Sequence, residues 1–281
     1  NIKRSPLCGR NFEYYSEDPL LSGVLGTAHV RALQAEGPGA SVKHFAANNQ
    51  ETERMRVSAD VDERTLREIY LPAFERVVTQ AGPATVMCSY NKINGVYASE
   101  HRWLLTDLLR EEWGFTGAVV SDWGAVSDRV AALVAGLDLE MPGTGGRTSR
   151  QIVDAVRAGD LDEAVVDRAV RRVLALTERR LPPADIDTGA HHALARALAV
   201  ECAVLLKNDN DTLPLGGAAR VAVVGEFATS PVYQGGGSSR IAPTGLDIPL
   251  DEIRRHAEAR GGSVSHAQGF ATDGDADEAA L

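Results

Sequence analysis

The sequence predicts an α/β fold built on a parallel sheet. Between residues 40 and 142, short β-rich apolar runs alternate with amphipathic stretches of helical period. Each run ends in a polar cluster. The composition, 44% apolar and 24% charged, is that of a globular chain and excludes disordered and fibrous classes. At 281 residues the chain suggests one large or two modest domains and is long enough for a sizeable core.

The first run, Ala40-Ser41-Val42, ends in Lys43-His44. Asp62 to Val78 then puts Leu66, Ile69, Tyr70, Ala73, Phe74 and Val77 on one helical face, with Pro72 as a break within it. The second run, Ala84-Thr85-Val86-Met87-Cys88, ends in Ser89-Tyr90-Asn91. Trp103 to Trp113 repeats the helical spacing with Leu104, Leu105, Leu108 and Leu109 until Gly114 stops it. The third run, Gly117-Ala118-Val119-Val120, ends in Ser121-Asp122-Trp123. The fourth, Gly136-Leu137-Asp138-Leu139, ends in Glu140-Met141-Pro142. These clusters fall at the C-terminal ends of the strands, where parallel barrels and open sheets keep their active sites. Lys, His, Tyr, Asp and Trp would converge on one mouth, which reads as a catalytic face.

Residues 148 to 180 read as two packing helices around a Gly159-Asp160 break. Their apolar positions are Ile152, Val153 and Val156, then Val165, Val166, Ala169, Val170, Val173 and Leu174. Arg179-Arg180-Leu181-Pro182-Pro183 opens a polar linker that runs to about Gly189. A helix from Ala190 to Leu206 follows. Val221-Ala222-Val223-Val224-Gly225 reads as a buried strand that starts a second α/β unit, and the last eleven residues read as a truncated or frayed end.

Several functions are disfavoured. The 29 basic and 39 acidic residues leave a net charge of −10 with no basic stripe, which argues against nucleic acid. No run approaches a membrane span. Cys8, Cys88 and Cys202 are odd in number and far apart, so they read as reduced, mostly buried thiols and not as a disulfide framework or zinc site. The only histidine pair, His191-His192, has no third ligand at a suitable spacing, so no metal is expected. The Gly235 to Ser239 run lacks the Gly-Lys-Ser/Thr ending of a phosphate-binding loop. The chain starts at Asn1 with no signal-like segment, and the compartment stays open, with the cytoplasm slightly favoured. Oligomeric state has no sequence signal.

Asp122 is the first candidate for chemistry. A carboxylate closing an apolar strand can serve as nucleophile or base, but it can equally cap a helix beginning at Gly124-Ala125-Val126. Lys43 and His44 would point to opposite faces of a regular strand, and both can donate to ligand hydroxyls only where the strand becomes irregular. Tyr90, Arg54 and Arg10 could add donors for a polyhydroxylated ligand. A different chemistry, an aldolase using Lys43 as Schiff-base nucleophile, fits the same strand end.

The motifs together resemble glycoside hydrolase family 3, in its β-glucosidase-like branch. They are Gly9-Arg10-Asn11-Phe12-Glu13-Tyr14-Tyr15-Ser16-Glu17-Asp18-Pro19, Lys43-His44-Phe45 with Asn48-Asn49-Gln50-Glu51, Ser89-Tyr90-Asn91, Ser121-Asp122-Trp123-Gly124 and Gly136-Leu137-Asp138-Leu139-Glu140-Met141-Pro142-Gly143. They stand in the family's order, and the likeness runs on through Leu205-Leu206-Lys207-Asn208 and Leu213-Pro214-Leu215. The resemblance implies part of a (β/α)8 TIM-like barrel followed by the start of an α/β sandwich domain. Residues 1–180 would be the later part of the barrel, 181–215 a linker and leading helix, and 216–281 the beginning of the sandwich.

The resemblance also implies roles. Asp122 matches the nucleophile of a retaining exo-β-glycosidase. Arg10, Lys43, His44, Arg54 and Tyr90 match residues that hold the terminal sugar or orient that nucleophile. Met87 and Trp123 match pocket walls, and Ser238 or Ser239 a second-domain loop that approaches the pocket. The substrate would be a small oligosaccharide or β-glycoside, with no metal or organic cofactor. After Lys43-His44 the sequence lacks the Gly-His-Gly-Asp continuation of the N-acetylhexosaminidase branch, so glucosidase-like or xylosidase-like specificity is favoured. Retention requires two carboxyl groups about 5 Å apart. The resemblance puts the acid/base Glu, and one sugar-gripping carboxylate, outside these 281 residues, so this piece alone is expected to be inactive. Glu140 is the candidate stand-in. The alternative is a non-catalytic sugar-binding or scaffold remnant of the same fold.

Overall fold

The computed structural model describes residues 1–178, 185–234 and 237–270. The Arg179–Pro183 run, Gly235, Gly236, the Ser238 side chain and the last eleven residues lie outside the described residues. The chain divides into two compact units, Asn1–Pro183 and Ala184–Leu281.

The first unit is α/β, as predicted. Helix α1 (Pro19–Ala35) starts behind Asp18, whose side chain accepts the Leu20 N–H at 2.8 Å. Strands β1 (Ser41–Phe45), β2 (Thr85–Cys88) and β3 (Ala118–Val120) pair in parallel in that order. The fourth run contributes one parallel bridge, from Leu139 to Val120, rather than a full strand. On β2, Val86 and Cys88 are fully buried in the core that also holds Phe45, Leu104, Leu105, Leu108, Leu109 and Val119. Alternation therefore turns Met87, level with Val120, to the face away from that core.

Between β1 and β2 the prediction of one face carrying Ile69 needs correction. Pro72 has no N–H, and its ring cannot pass the carbonyl four residues back. The turn before it widens, so that Leu71 N–H bonds Leu66 O five residues away at 2.9 Å, and α2 begins at Pro72 (Pro72–Ala81). This shifts the buried stripe to Leu66, Leu71, Phe74, Val77 and Val78 and leaves Ile69 40% exposed. The Trp103–Glu112 helix is wound the same way, with Trp113 N–H on Leu108 O, and buries the four leucines predicted for it.

Helix α3 (Arg129–Ala135) starts behind Asp128, which accepts the Val130 and Ala131 N–H groups, both at 2.9 Å. It ends at Gly136 with φ +116°, where a Cβ would stand 2.7 Å from Thr106 Oγ1. Helices α4 (Arg147–Ala158) and α5 (Glu163–Thr177) turn at Gly159. They bury Leu161 and Ala169 against Leu133, but Val153, Val170 and Leu174 stay exposed, because a helix pair covers one stripe of each partner. Asp138, from the fourth run, is buried between two arginines from different helices. Its Oδ2 accepts Arg110 Nη2 at 2.6 Å and the Val119 N–H at 2.8 Å, and its Oδ1 accepts Arg172 Nη1 at 3.0 Å.

In the second unit, α6 (Thr188–Glu201) starts within the predicted linker and stops short of Leu206. Here His192 Nε2 faces Asp247 Oδ2 at 3.2 Å. Strands β4 (Arg220–Val224) and β5 (Ser263–Ala267) pair in parallel over five residues, joined through α7 (Pro249–Glu258). The prediction that β4 is buried fails. Val221 and Val223 are half-buried and Val224 is 57% exposed, since β4 has one partner strand and one packed helix among the described residues. Cys8 and Cys88 are buried thiols, whereas Cys202 is exposed. Among the described residues no helix is long and apolar enough to cross a membrane, and no three His, Cys, Asp or Glu side chains cluster as a metal would require.

Candidate active site

The site forms where β1, β2 and β3 end. In β1 the pairing shifts: Val42 opposes Val86 but Phe45 opposes Cys88, so three steps on one strand match two on the other. This bulge supplies the irregular strand end that lets two adjacent residues serve one site. Lys43 Nζ lies 3.7 Å from Glu13 Oε2, and His44 Nε2 lies 3.5 Å from Asp122 Oδ2. The next loops are stitched together. Ser89 Oγ donates to Ala46 O at 2.9 Å and Asn91 Nδ2 to the same oxygen at 3.3 Å. After β3, Met141 N–H donates to Ser121 Oγ at 2.8 Å and Gly124 N–H to Met141 O at 2.9 Å.

The competition over Asp122 is resolved by Asp128. No helix begins at Gly124; the helix starts at Arg129 with Asp128 as its cap. Asp122 Oδ1 instead accepts the Trp123 N–H at 2.8 Å, which fixes the carboxylate's rotation. Its Oδ2 is buried and accepts no hydrogen bond among the described residues. Trp123 itself is 53% exposed beside it.

Cations surround this carboxylate, and most are already paired. Arg10 holds Glu13 in a fork, Nε to Oε1 at 2.7 Å and Nη2 to Oε2 at 2.9 Å. Burial alone would raise the Glu13 carboxyl, but the Arg10 hydrogen bonds and charge, with Lys43, hold it below the usual range. Arg54 bonds Glu51 Oε2 through Nη1 at 2.8 Å and lies over the Tyr90 ring, 4.6 Å from its centroid. Burial, followed by the neighbouring Asp122 charge, pushes the Tyr90 hydroxyl up to about 12. Burial, then the positive charges of Arg10 and Lys43, pushes His44 down to about 2, so its imidazole is neutral. Its Nε2 faces Asp122 Oδ2 at 3.5 Å without forming a hydrogen bond to it.

The structure thus brings Arg10, Lys43, His44, Arg54, Tyr90, Asp122 and Trp123 to one strand-end cluster, with half-buried Met87 on the strand below. The Ser238 side chain lies outside the described residues. Glu13 and Glu51, which anchor Arg10 and Arg54, are functional residues that sequence reasoning misses. Their signal was the three-residue spacing to Arg10 and Arg54. Glu140 stands 3.6 Å from Arg129 in a largely buried ion pair. Burial pushes the Cys88 thiol up to about 12, so it stays protonated and offers no competing nucleophile. Lys43 is half exposed and paired with Glu13, unlike the desolvated amine that a Schiff-base lysine requires.

Comparison with known proteins fits this arrangement. Residues 1–176 match the glycosyl hydrolase family 3 N terminal domain, and residues 203–280 the family's C-terminal domain. The chain is 53% identical, over 98% of its length, to thermostable beta-glucosidase B of Acetivibrio thermocellus. It is 49% identical, over 97% of its length, to an exo-alpha-(1->6)-L-arabinopyranosidase of Bifidobacterium longum. It spans about 37% of the length of each of these relatives. Its fold superposes on the crystal structure of a GH3 beta-glucosidase from Bifidobacterium adolescentis with a TM-score of 0.91 at 50% identity, covering 99% of this chain and 41% of that one. The parallel strands and their helices are therefore part of a (β/α)8-type barrel, and the chain belongs to glycosyl hydrolase family 3.

Proposed function

We propose that the chain carries the nucleophile side of a retaining exo-β-glycosidase site of β-glucosidase type. The substrate class is the terminal non-reducing sugar of a short oligosaccharide or other β-glycoside. The observation that supports this best is the state of Asp122: one oxygen is fixed by Trp123 N–H, the other is buried and not clamped by any arginine, and the carboxylate is flanked by the Tyr90 hydroxyl and a neutral imidazole. In the proposed reaction Asp122 Oδ2 attacks the anomeric carbon as the glycosidic bond breaks, giving a glycosyl ester that water then cleaves. Arg10, Lys43, His44, Arg54 and Tyr90 donate to sugar hydroxyls or orient the nucleophile, while Met87 and Trp123 wall the pocket. The relatives' names differ in the sugar, one a beta-glucosidase and the other an arabinopyranosidase, so the particular sugar stays open.

The leaving oxygen needs a proton. Arg10 holds Glu13 below the usual carboxylate range and so favours its ionised form, while Glu51 and Glu140 are each engaged by an arginine, Arg54 at 2.8 Å and Arg129 at 3.6 Å. The acid is then supplied from outside these residues, and the 281 residues alone turn over little or nothing. The same pairing favours a second reading, a sugar-binding remnant without catalysis.

A 2-deoxy-2-fluoroglucosyl fluoride, which accumulates the ester, and 4-nitrophenyl β-glucoside test both. They are offered to the chain and to a polypeptide extended at both ends, each with an Asp122→Asn control. Trapping on Asp122, with turnover only in the extended polypeptide, supports the enzyme. Sugar binding without trapping in either supports the remnant. Strong turnover by the short chain would sink the assignment of the acid to an external segment.

A further inference from the structure

We propose that the cavity at the N-terminal ends of the strands, remote in the fold from Asp122, binds a phosphoryl-type anion. It measures about 380 Å³, and its lining includes Arg102, Arg110, Arg168 and Arg172 against two carboxylates, Glu111 and Asp138. Arg110 and Arg172 share the single Asp138 carboxylate. That carboxylate is saturated, with Arg172 Nη1 on one oxygen and Arg110 Nη2 and the Val119 N–H on the other. Two guanidiniums, buried Arg110 and partly exposed Arg172, thus share one carboxylate, which leaves one positive charge in excess. Arg110 Nε is buried and has no hydrogen-bond partner among the described residues.

Arg168 lies one turn before Arg172 on α5, and so on the same face. It is exposed and makes no ion pair among the described residues, whereas Arg102 is engaged by Asp107 at 3.4 Å. Two like charges at this spacing repel each other. A bound dianion removes that repulsion, and the guanidinium fork matches phosphoryl oxygens in pairs. This concentration of positive charge stands out in a chain whose net charge is −10.

The test uses the whole chain in chloride buffer at fixed ionic strength. Inorganic phosphate and glucose 6-phosphate are titrated separately, with glucose as control, by calorimetry and by the shift of the unfolding midpoint. Saturable phosphate binding is expected, weakened about tenfold by Arg168→Gln and lost in Arg168→Gln/Arg172→Gln. Arg168 is exposed and unpaired, so its replacement should not lower the unliganded midpoint, and relief of the repulsion from Arg172 should raise it slightly. Equal affinity for both ligands identifies a free anion as the occupant, and tighter binding of the sugar phosphate identifies a phosphorylated sugar; both uphold the site. If neither phosphate compound binds above matched chloride, or if Arg168→Gln binds as tightly as the parent, the proposal is wrong.

Discussion

Mild acid should destabilise the first unit through His44. The buried imidazole takes a proton only near pH 2, whereas in the unfolded chain it does so near 6.5. Below 6.5 the unfolded state therefore binds more protons, so stability falls as pH falls, and the loss runs from 6.5 down towards 2. Each pH unit in that window removes about 1.4 kcal/mol. Since His44 is 1% exposed, solvent screening does not discount the figure. Between about pH 6.5 and 5 the loss is about 2 kcal/mol, while most carboxylates stay ionised. His101, whose pKa burial also lowers, adds a loss of the same sign, so the decisive comparison is with His44→Gln. Urea titrations at about pH 7, 6 and 5 can be followed by tryptophan fluorescence, because Trp103, Trp113 and Trp123 all lie in the first unit. Between pH 7 and pH 5 the variant should lose about 2 kcal/mol less than the parent, most of it between pH 6 and 5. Parallel decline in the two proteins would refute the argument that His44 is held neutral.

Asp138→Asn keeps the side chain's shape but leaves Arg110 buried without its counter-charge, and should cost about 3–5 kcal/mol in the same titration. Glu13→Gln removes the anion that Arg10 and Lys43 share. In a polypeptide extended at both ends, KM for the glycoside should rise about tenfold with a smaller change in kcat, as expected when positioned donors lose their anchor. Tyr14 and Tyr90 are both pushed up to about 12, by burial first in each case. Their unfolded forms ionise near 10, so stability is lost as pH rises from about 10 to 12, and phenolate absorbance should show both groups titrating after an ordinary tyrosine. Tyr90→Phe should remove one of these late titrations.

The strand-end clusters were legible because a parallel sheet brings its C-terminal ends to one mouth, and each apolar run names its own end residue. The phase of the helix after Asp62 was not, because a five-residue turn before Pro72 obeys no 3.6 period, so Ile69 and Leu71 exchange places. Nothing local to Asp122 distinguishes a cap from a free carboxylate. The decision came from Asp128, which has the stronger position immediately before a helical run. Glu13 and Glu51 stand in irregular segments, where no period marks which side chain turns inward. The exposure of β4 depends on which layers cover it, a tertiary quantity that Val221 to Val224 cannot encode. Asp138 did leave a sign: a charge inside an otherwise apolar run must find a partner when it is buried.

The charges around Asp122 explain why the neighbouring acids matter. Arg10, Lys43 and Arg54 contribute three positive charges, and Glu13, Glu51 and Asp122 three negative ones, with His44 neutral. Glu13 and Glu51 take up Arg10 and Arg54 through short bonds, so neither arginine clamps Asp122, and its Oδ2 stays open. A guanidinium locked onto that oxygen would lower its nucleophilicity and block its approach to a sugar. In the proposed reaction Asp122 becomes a neutral ester, so the cluster gains net positive charge just as the leaving group acquires negative charge. Protonating His44 would add that positive charge before reaction and draw the carboxylate into an ion pair. The burial that makes the protein acid-sensitive is on this argument the same feature that keeps its nucleophile free.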